Sequence, residues 1–260
     1  MTTPLQAPDS AGMATALARD YAVQIDTNWG TPSQGTPNWV FVLGLNTVNP
    51  TQDITFQDDG DIHSGGYKSQ QATAIGANLE LAGLRKGLKS PGYVADPGQE
   101  KLRSHGSQIG DANTAHIRYW RTDEIDEARE GYYAVNWTSA GGDKEGLYGF
   151  TATCTGKGKP KDITKPVAPV TYTFELPGAT TGGTWTITVD GNTTAGVSNS
   201  VTAAALKTAV EALPNVGTGN ATVTLTGGVY SVTFSVAVTT VTASGASLTP
   251  AGTVTVGTTP

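Results

Sequence analysis

Ile75, Ala77, Leu79 and Leu81 alternate with Gly76, Asn78 and Glu80 along one unbroken stretch of the chain. A period of two puts every apolar side chain on one side of an extended strand, which a helix cannot do. The pattern recurs in Tyr21, Val23 and Ile25, in Trp185, Ile187 and Val189, and in Tyr230, Val232, Phe234 and Val236. The segment "NWVFVLGL" (38–45) is apolar on both faces and reads as a central strand. "AHIRYWR" (115–121), "GYYAVNWT" (131–138) and "LYGFTATC" (147–154) add three more. Abundant Gly and Thr beside only 2 Met point the same way.

Only two segments have helix signals. In "DPGQEKLRSHG" (96–106), Asp96 can cap, Pro97 suits the first turn and Gln99 occupies the capping-box position. Arg103 and His105 fall at the end where positive charge is favoured. In "VTAAALKTAVEAL" (201–213), Leu206, Val210 and Leu213 share one face, with Ser200 as cap and Pro214 as stop. The fold class expected is mainly β: an N-terminal antiparallel β-sandwich or barrel with one short helix, then a small C-terminal ββαββ domain of one helix on one sheet, with a weaker strand at 252–256.

A length of 260 residues suits two domains, and the composition changes near residue 156. "GKGKPKDITKPVAPV" (156–170) holds four lysines and three prolines and reads as a linker. Of 16 Lys+Arg, only Lys207 lies beyond it; of 22 Asp+Glu, only Glu175, Asp190 and Glu211 do. The boundaries expected are an N-terminal arm at 1–18, a first domain at 19–155, a linker at 156–169 and a second domain at 170–260.

Net charge −6 argues against binding nucleic acid through basic phosphate contacts. No apolar run reaches the roughly 18–20 residues of a membrane helix, so no membrane insertion is expected. The N-terminus lacks a signal-peptide pattern, and the lone Cys154 fits synthesis in a reducing cytoplasm.

No catalytic motif is present: Gly-x-Ser-x-Gly, Gly-x-x-x-x-Gly-Lys and His-Glu-x-x-His are all missing. His63, His105 and His116 are far apart in sequence. Asp59 and Asp61 have the alternate spacing of a calcium loop, but no acid follows at the closing distance. Cys154 ends an aromatic strand without a nearby histidine and reads as a buried thiol; the tryptophans read as core. No enzyme, cofactor or metal is expected.

An ordered series then gives a family likeness. "SGGYKSQQATAIGANLELAG" (64–83), "DPGQEKLR", "HIRYWR" and "EGYYAVNW", followed by a strand and a glycine-rich exit, resembles the major tail tube proteins of long non-contractile-tailed phages, especially of actinobacterial hosts. The likeness covers roughly residues 19–165; the acidic run "DEIDEARE" (123–130) departs from it. "GTWTITVDGNTTAGVSNSVTAAALKTAVEALPNVGTGNATVTLTGG" is similar to a repeat of actinophage structural proteins, present here once.

The resemblance implies a homo-oligomer of stacked hexameric rings in the virion tail. Assembly would take place in the host cytoplasm, with tail terminator, tape measure and distal tail proteins as partners. DNA would pass through the lumen without specific binding. On this basis 46–74 is expected to be an assembly loop, loose in the monomer, with Ile62 and Tyr67 as apolar anchors, Lys68 as an ion-pair donor and Asp58, Asp59 and Asp61 at the interface. Glu80 is the lumen-facing candidate. The alternatives are a surface- or glycan-binding virion module and the tube of a phage-derived injection device.

Overall fold

The computed structural model describes residues 13–17, 19–30, 35–63, 65–89 and 92–259, so most of the arm expected at 1–18 lies outside the described residues. The chain divides into two units, Met1–Lys165 and Pro166–Pro260. Both are mainly β with antiparallel pairing, as the alternation requires.

The first unit contains β1 (Tyr21–Asp26), β2 (Trp39–Phe41), β3 (Leu45–Asp58), β4 (Gln70–Leu84), β5 (Gly87–Lys89), β6 (Tyr93–Ala95), α1 (Pro97–Gly106), β7 (Thr114–Arg121), β8 (Ala128–Ala140), β9 (Gly149–Gly156) and β10 (Lys161–Asp162). Hydrogen bonds link seven of these in the order β2-β1-β7-β8-β9-β4-β3, with β10 on β8; β5 and β6 form a separate ribbon. One face holds Val23, Ile25, Ile117, Tyr133, Val135, Phe150, Ala152, Leu79 and Leu81, all buried, and Leu102 of α1 closes over it. The helix sits so close that a Cβ on Gly98 would collide with the Phe41 carbonyl, and one on Gly106 with Trp137.

The start of α1 joins three segments. Asp96 accepts from the Gln99 backbone N–H at 2.8 Å, as a cap should. Gln99 does not return the bond in a capping box. Its fully buried amide donates to the Leu43 carbonyl (2.6 Å) and the Leu84 carbonyl (3.0 Å), and accepts from Lys86 N–H (3.2 Å). The Asp96 backbone N–H donates instead to the Lys86 carbonyl. One glutamine thus fixes the entry of β3, the exit of β4 and the helix.

The stretch that reads as a linker, 156–169, is partly built into the sheet. β10 pairs with β8 at Lys161↔Glu130 and Asp162↔Arg129, Ile163 N–H donates to Ala128, and Lys165 Nζ donates to the Asp123 carbonyl. β9 ends at Gly156, and this segment occupies the edge of β8 that β9 leaves free.

The second unit contains β11 (Val170–Glu175), β12 (Gly182–Val189), β13 (Asn192–Thr193), β14 (Val197–Ser198), α2 (Ala203–Glu211), β15 (Ala221–Thr226), β16 (Val229–Phe234), β17 (Val241–Ser244), β18 (Leu248–Thr249) and β19 (Thr255–Thr259). Its strands lie in two sheets rather than one. β16 and β19 occupy both edges of β11, so β12 pairs instead with β13, β14, β17 and β18. The core is the one the periodicity predicts: Trp185, Ile187 and Val189 meet Leu206, Val210, Tyr230, Val232 and Phe234. Thr202, not Ser200, caps α2, accepting from Ala205 N–H at 3.2 Å.

Replacing Gln99 with Leu keeps the volume but leaves two part-buried carbonyls and one N–H without their partner. The expected loss is about 2 kcal/mol, or roughly 4–8 °C in the melting temperature of the first unit by calorimetry.

Candidate assembly surface

β3 and β4 pair along their whole length, from Leu45↔Gly83 to Asp58↔Gln70. On the other side of β4, β9 pairs only from Asn78 to Leu84. Residues 51–58 and 70–77 therefore leave the sheet as a two-stranded arm. At about 3.3 Å per residue it projects roughly 25 Å.

The core alternation continues onto this arm. Leu79 and Leu81 are fully buried, yet Ile75 on the same face is 69% exposed and stands opposite Ile54, which is also exposed. Phe56 follows beyond a register shift at Thr55/Phe56 and is 54% exposed. A lone two-stranded ribbon is marginally stable in water, and these apolar side chains stay exposed among the described residues.

The assembly loop expected at 46–74 is thus mostly strand. Among the described residues of this stretch, 59–63 and 65–69 lack strand structure, and acids shape the turns: Asp58 accepts from Gly60 N–H and Asp61 from His63 N–H, each at 2.9 Å. The strand β4 runs past residue 75 into this region, beyond the end of its apolar alternation, and β3 pairs with it outward as far as Asp58. Asp58, Asp59, Asp61, Ile62, Tyr67 and Lys68 all lie at the arm's distal end, with Ile62 and Tyr67 almost wholly exposed.

Glu80 is not among them. It lies in the body of the sheet on the face opposite the core, in a cross-strand row Asn49–Glu80–Thr153–Asn136. Neutral amides and hydroxyls surround this single acid.

β3 is also the margin of the sheet. Among the described residues, no strand pairs with its outer side. A long open edge of this kind is a template for another chain.

Beyond β1, β7 and β8, on the face away from the core, lies a polar and aromatic layer that the alternation did not reveal. His116 is buried, with Nδ1 3.3 Å from Asp26 and Nε2 3.0 Å from Glu130. Its ring stacks on Tyr132 and meets Trp29 and Trp39, and Arg118 lies 4.4 Å from the Trp39 ring centre while donating to Gln24. Trp29 and Trp39 therefore pack over polar groups, while Trp185 is core as expected. Tryptophans before and within β2 near a mid-strand histidine are the only sequence trace of this layer.

Among the described residues no group of three His, Cys, Asp or Glu could hold a metal ion, and no helix is long and apolar enough to cross a membrane. Cys154 is fully buried, and burial pushes its thiol up to about 12, which removes the thiolate a nucleophile needs.

No protein-family model and no curated protein matches the chain. Among solved structures, a chain from the tail of an empty gene transfer agent particle, refined with C6 helical symmetry, aligns over 58% of this chain and 100% of its own, at 13% identity and a TM-score of 0.45. The SPP1 tail tube aligns over 58% of this chain and 81% of its own, at 13% identity and a TM-score of 0.42. A chain of Mycobacterium phage Patience aligns over 68% and 65%, at 20% identity and a TM-score of 0.31. These TM-scores lie below 0.5, so the functional reading stands on the chain's own strands.

Asp26 gives a pH test of the polar layer. Burial pushes its carboxyl up, but the N–H groups of Asn38 and Asn28, each 2.9 Å away, and His116 outweigh that and hold it below the ordinary value. A depressed folded-state value adds stability above the unfolded value of about 3.9, and that stability is lost as pH falls through the folded value. Asp26→Ala should cost about 1–3 kcal/mol at neutral pH. The stability difference between wild type and variant, from denaturant titrations, should shrink below about pH 4.

Proposed function

We propose that this chain is the major tail tube subunit of a long non-contractile-tailed phage, closing into hexameric rings that stack into the conduit for DNA ejection. The observation that carries this reading is the open margin of the first unit. Among the described residues, a strand of 14 residues has a neighbour on one side only, and its distal half holds apolar side chains in water. Such an edge is a hazard in a lone monomer. Copies joined head to tail around an axis pair every edge when the rotation closes. The ordered likeness across 64–154 supports the same assignment.

The lumen follows from charge. A conduit for DNA must not hold phosphates, and the Asn49–Glu80–Thr153–Asn136 row offers no cation to them. We assign this face to the lumen. The second unit, with Lys207 as its sole cation, is then a peripheral module. The protein would reside in the virion tail after assembly in the host cytoplasm, meeting tail terminator, tape measure and distal tail proteins at the tube's ends and interior.

Two variants test this by negative-stain microscopy of concentrated protein. Joining Gln52 to Ala77, a paired position, through an Asn-Gly turn removes the arm and leaves the sheet's register intact. That variant should keep the wild-type far-ultraviolet spectrum and form no tubes. Deleting 166–260 should leave tube formation unchanged. Normal tubes from the armless protein, or none from the truncated one, would contradict this division of labour.

A further inference from the structure

The arm has a complement elsewhere in the same chain. After β4 the backbone turns into the β5–β6 ribbon, where Leu88 and Val94 pair across the strands and Lys89 faces Tyr93. Leu88 is 74% exposed, and Tyr93 and Val94 are more than half exposed. Leu43, also exposed, is held beside the ribbon's base by its N–H bond to Asp96.

The charge is as distinctive as the apolar surface. From 84 to 95 the sequence has Arg85, Lys86 and Lys89 and no acid, in a chain of net charge −6. Arg85 is committed to Glu100. Lys86 and Lys89 are exposed and form no ion pair among the described residues. The arm is the reverse: Asp53, Asp58, Asp59 and Asp61 against Lys68 alone between 46 and 75, with exposed Ile62 and Tyr67 at its tip.

Arm tip and ribbon stand at opposite ends of β4. That strand has 15 residues, which is about 50 Å when extended, so the two cannot meet within one chain. We propose that the β5–β6 ribbon is the docking site for the arm tip of a second copy of this chain, with Ile62 and Tyr67 against Leu88 and Val94, which share one face of the ribbon, and Asp58, Asp59 and Asp61 facing Lys86 and Lys89. The contact is heterologous, donor end to acceptor end, so each copy that docks presents a fresh ribbon and a fresh arm. It propagates along the direction of β4 rather than closing a dimer. The pairing rests on the reading that copies of this chain assemble.

Charge reversal in the full-length protein tests it. Lys86→Glu with Lys89→Glu, and separately Asp58→Lys with Asp59→Lys, should each raise the concentration needed for assembly at least about tenfold, equivalent to ~1.4 kcal/mol. Combining the four changes in one chain should restore assembly. Independently, a mixture of Ile62→Cys protein with Leu88→Cys protein, oxidised after assembly, should give a disulfide-linked dimer in reducing-sensitive electrophoresis; both positions are exposed, so neither change threatens the fold. If the single-sided reversals assemble like wild type, or the combined variant stays dispersed and no mixed disulfide forms, the ribbon is not the acceptor although the tube reading stands. If wild-type protein never assembles, both fall together.

Discussion

Strand β4 is paired unequally on its two sides. β3 accompanies it for its full length, whereas β9 stops at Asn78. Everything distinctive about the first unit follows from that mismatch. Inside the shared span, Leu79 and Leu81 enter a core with Phe150, Val135 and Leu102. Outside it, the same face of the same strand holds Ile75 opposite Ile54, both exposed among the described residues. The arm is therefore an extension of the core pattern into solvent, and hydrophobic burial, at about 25 cal/mol per Å2, favours whatever surface completes it.

The base of this lever is held on both faces. On the core side, the buried Gln99 amide ties Leu43 and Leu84 together, at the points where β3 begins and β4 ends. On the other side, His116 between Asp26 and Glu130, enclosed by Trp29, Trp39 and Tyr132, joins β1, β7 and β8. Buried polar groups that are satisfied in this way hold a sheet in one register. A rigid base lets a projecting arm present its tip in a defined place, which a loose loop could not do.

Much of this was legible in the sequence. Period-two runs located the central strands and their buried faces, and the cap at Asp96 and the apolar face of α2 were readable from residue type and spacing. The acids and apolar residues of 58–68 stood out because a polar, glycine-rich stretch has few reasons to keep an isoleucine and a tyrosine. What the sequence hid depends on contacts between distant segments. Residues 46–57 read as loop because Pro50, Gln52 and Asp53 interrupt the pattern, yet pairing with β4 makes them strand. Gln99 fitted a capping box but found better acceptors in two carbonyls 15 and 56 positions away. The linker lysines at 161 and 165 gained partners on β8 and at Asp123 that no local rule reveals.

The account turns on the arm and the outer side of β3 finding partners on other copies. Amide hydrogen exchange, compared between dispersed and assembled protein, measures this directly. The amides of 51–58 and 70–77 should exchange rapidly in dispersed protein and become strongly protected on assembly, while those of β7 and β8 stay protected in both states. Equal exchange of the arm amides in the two states, in protein that has visibly assembled, would contradict it.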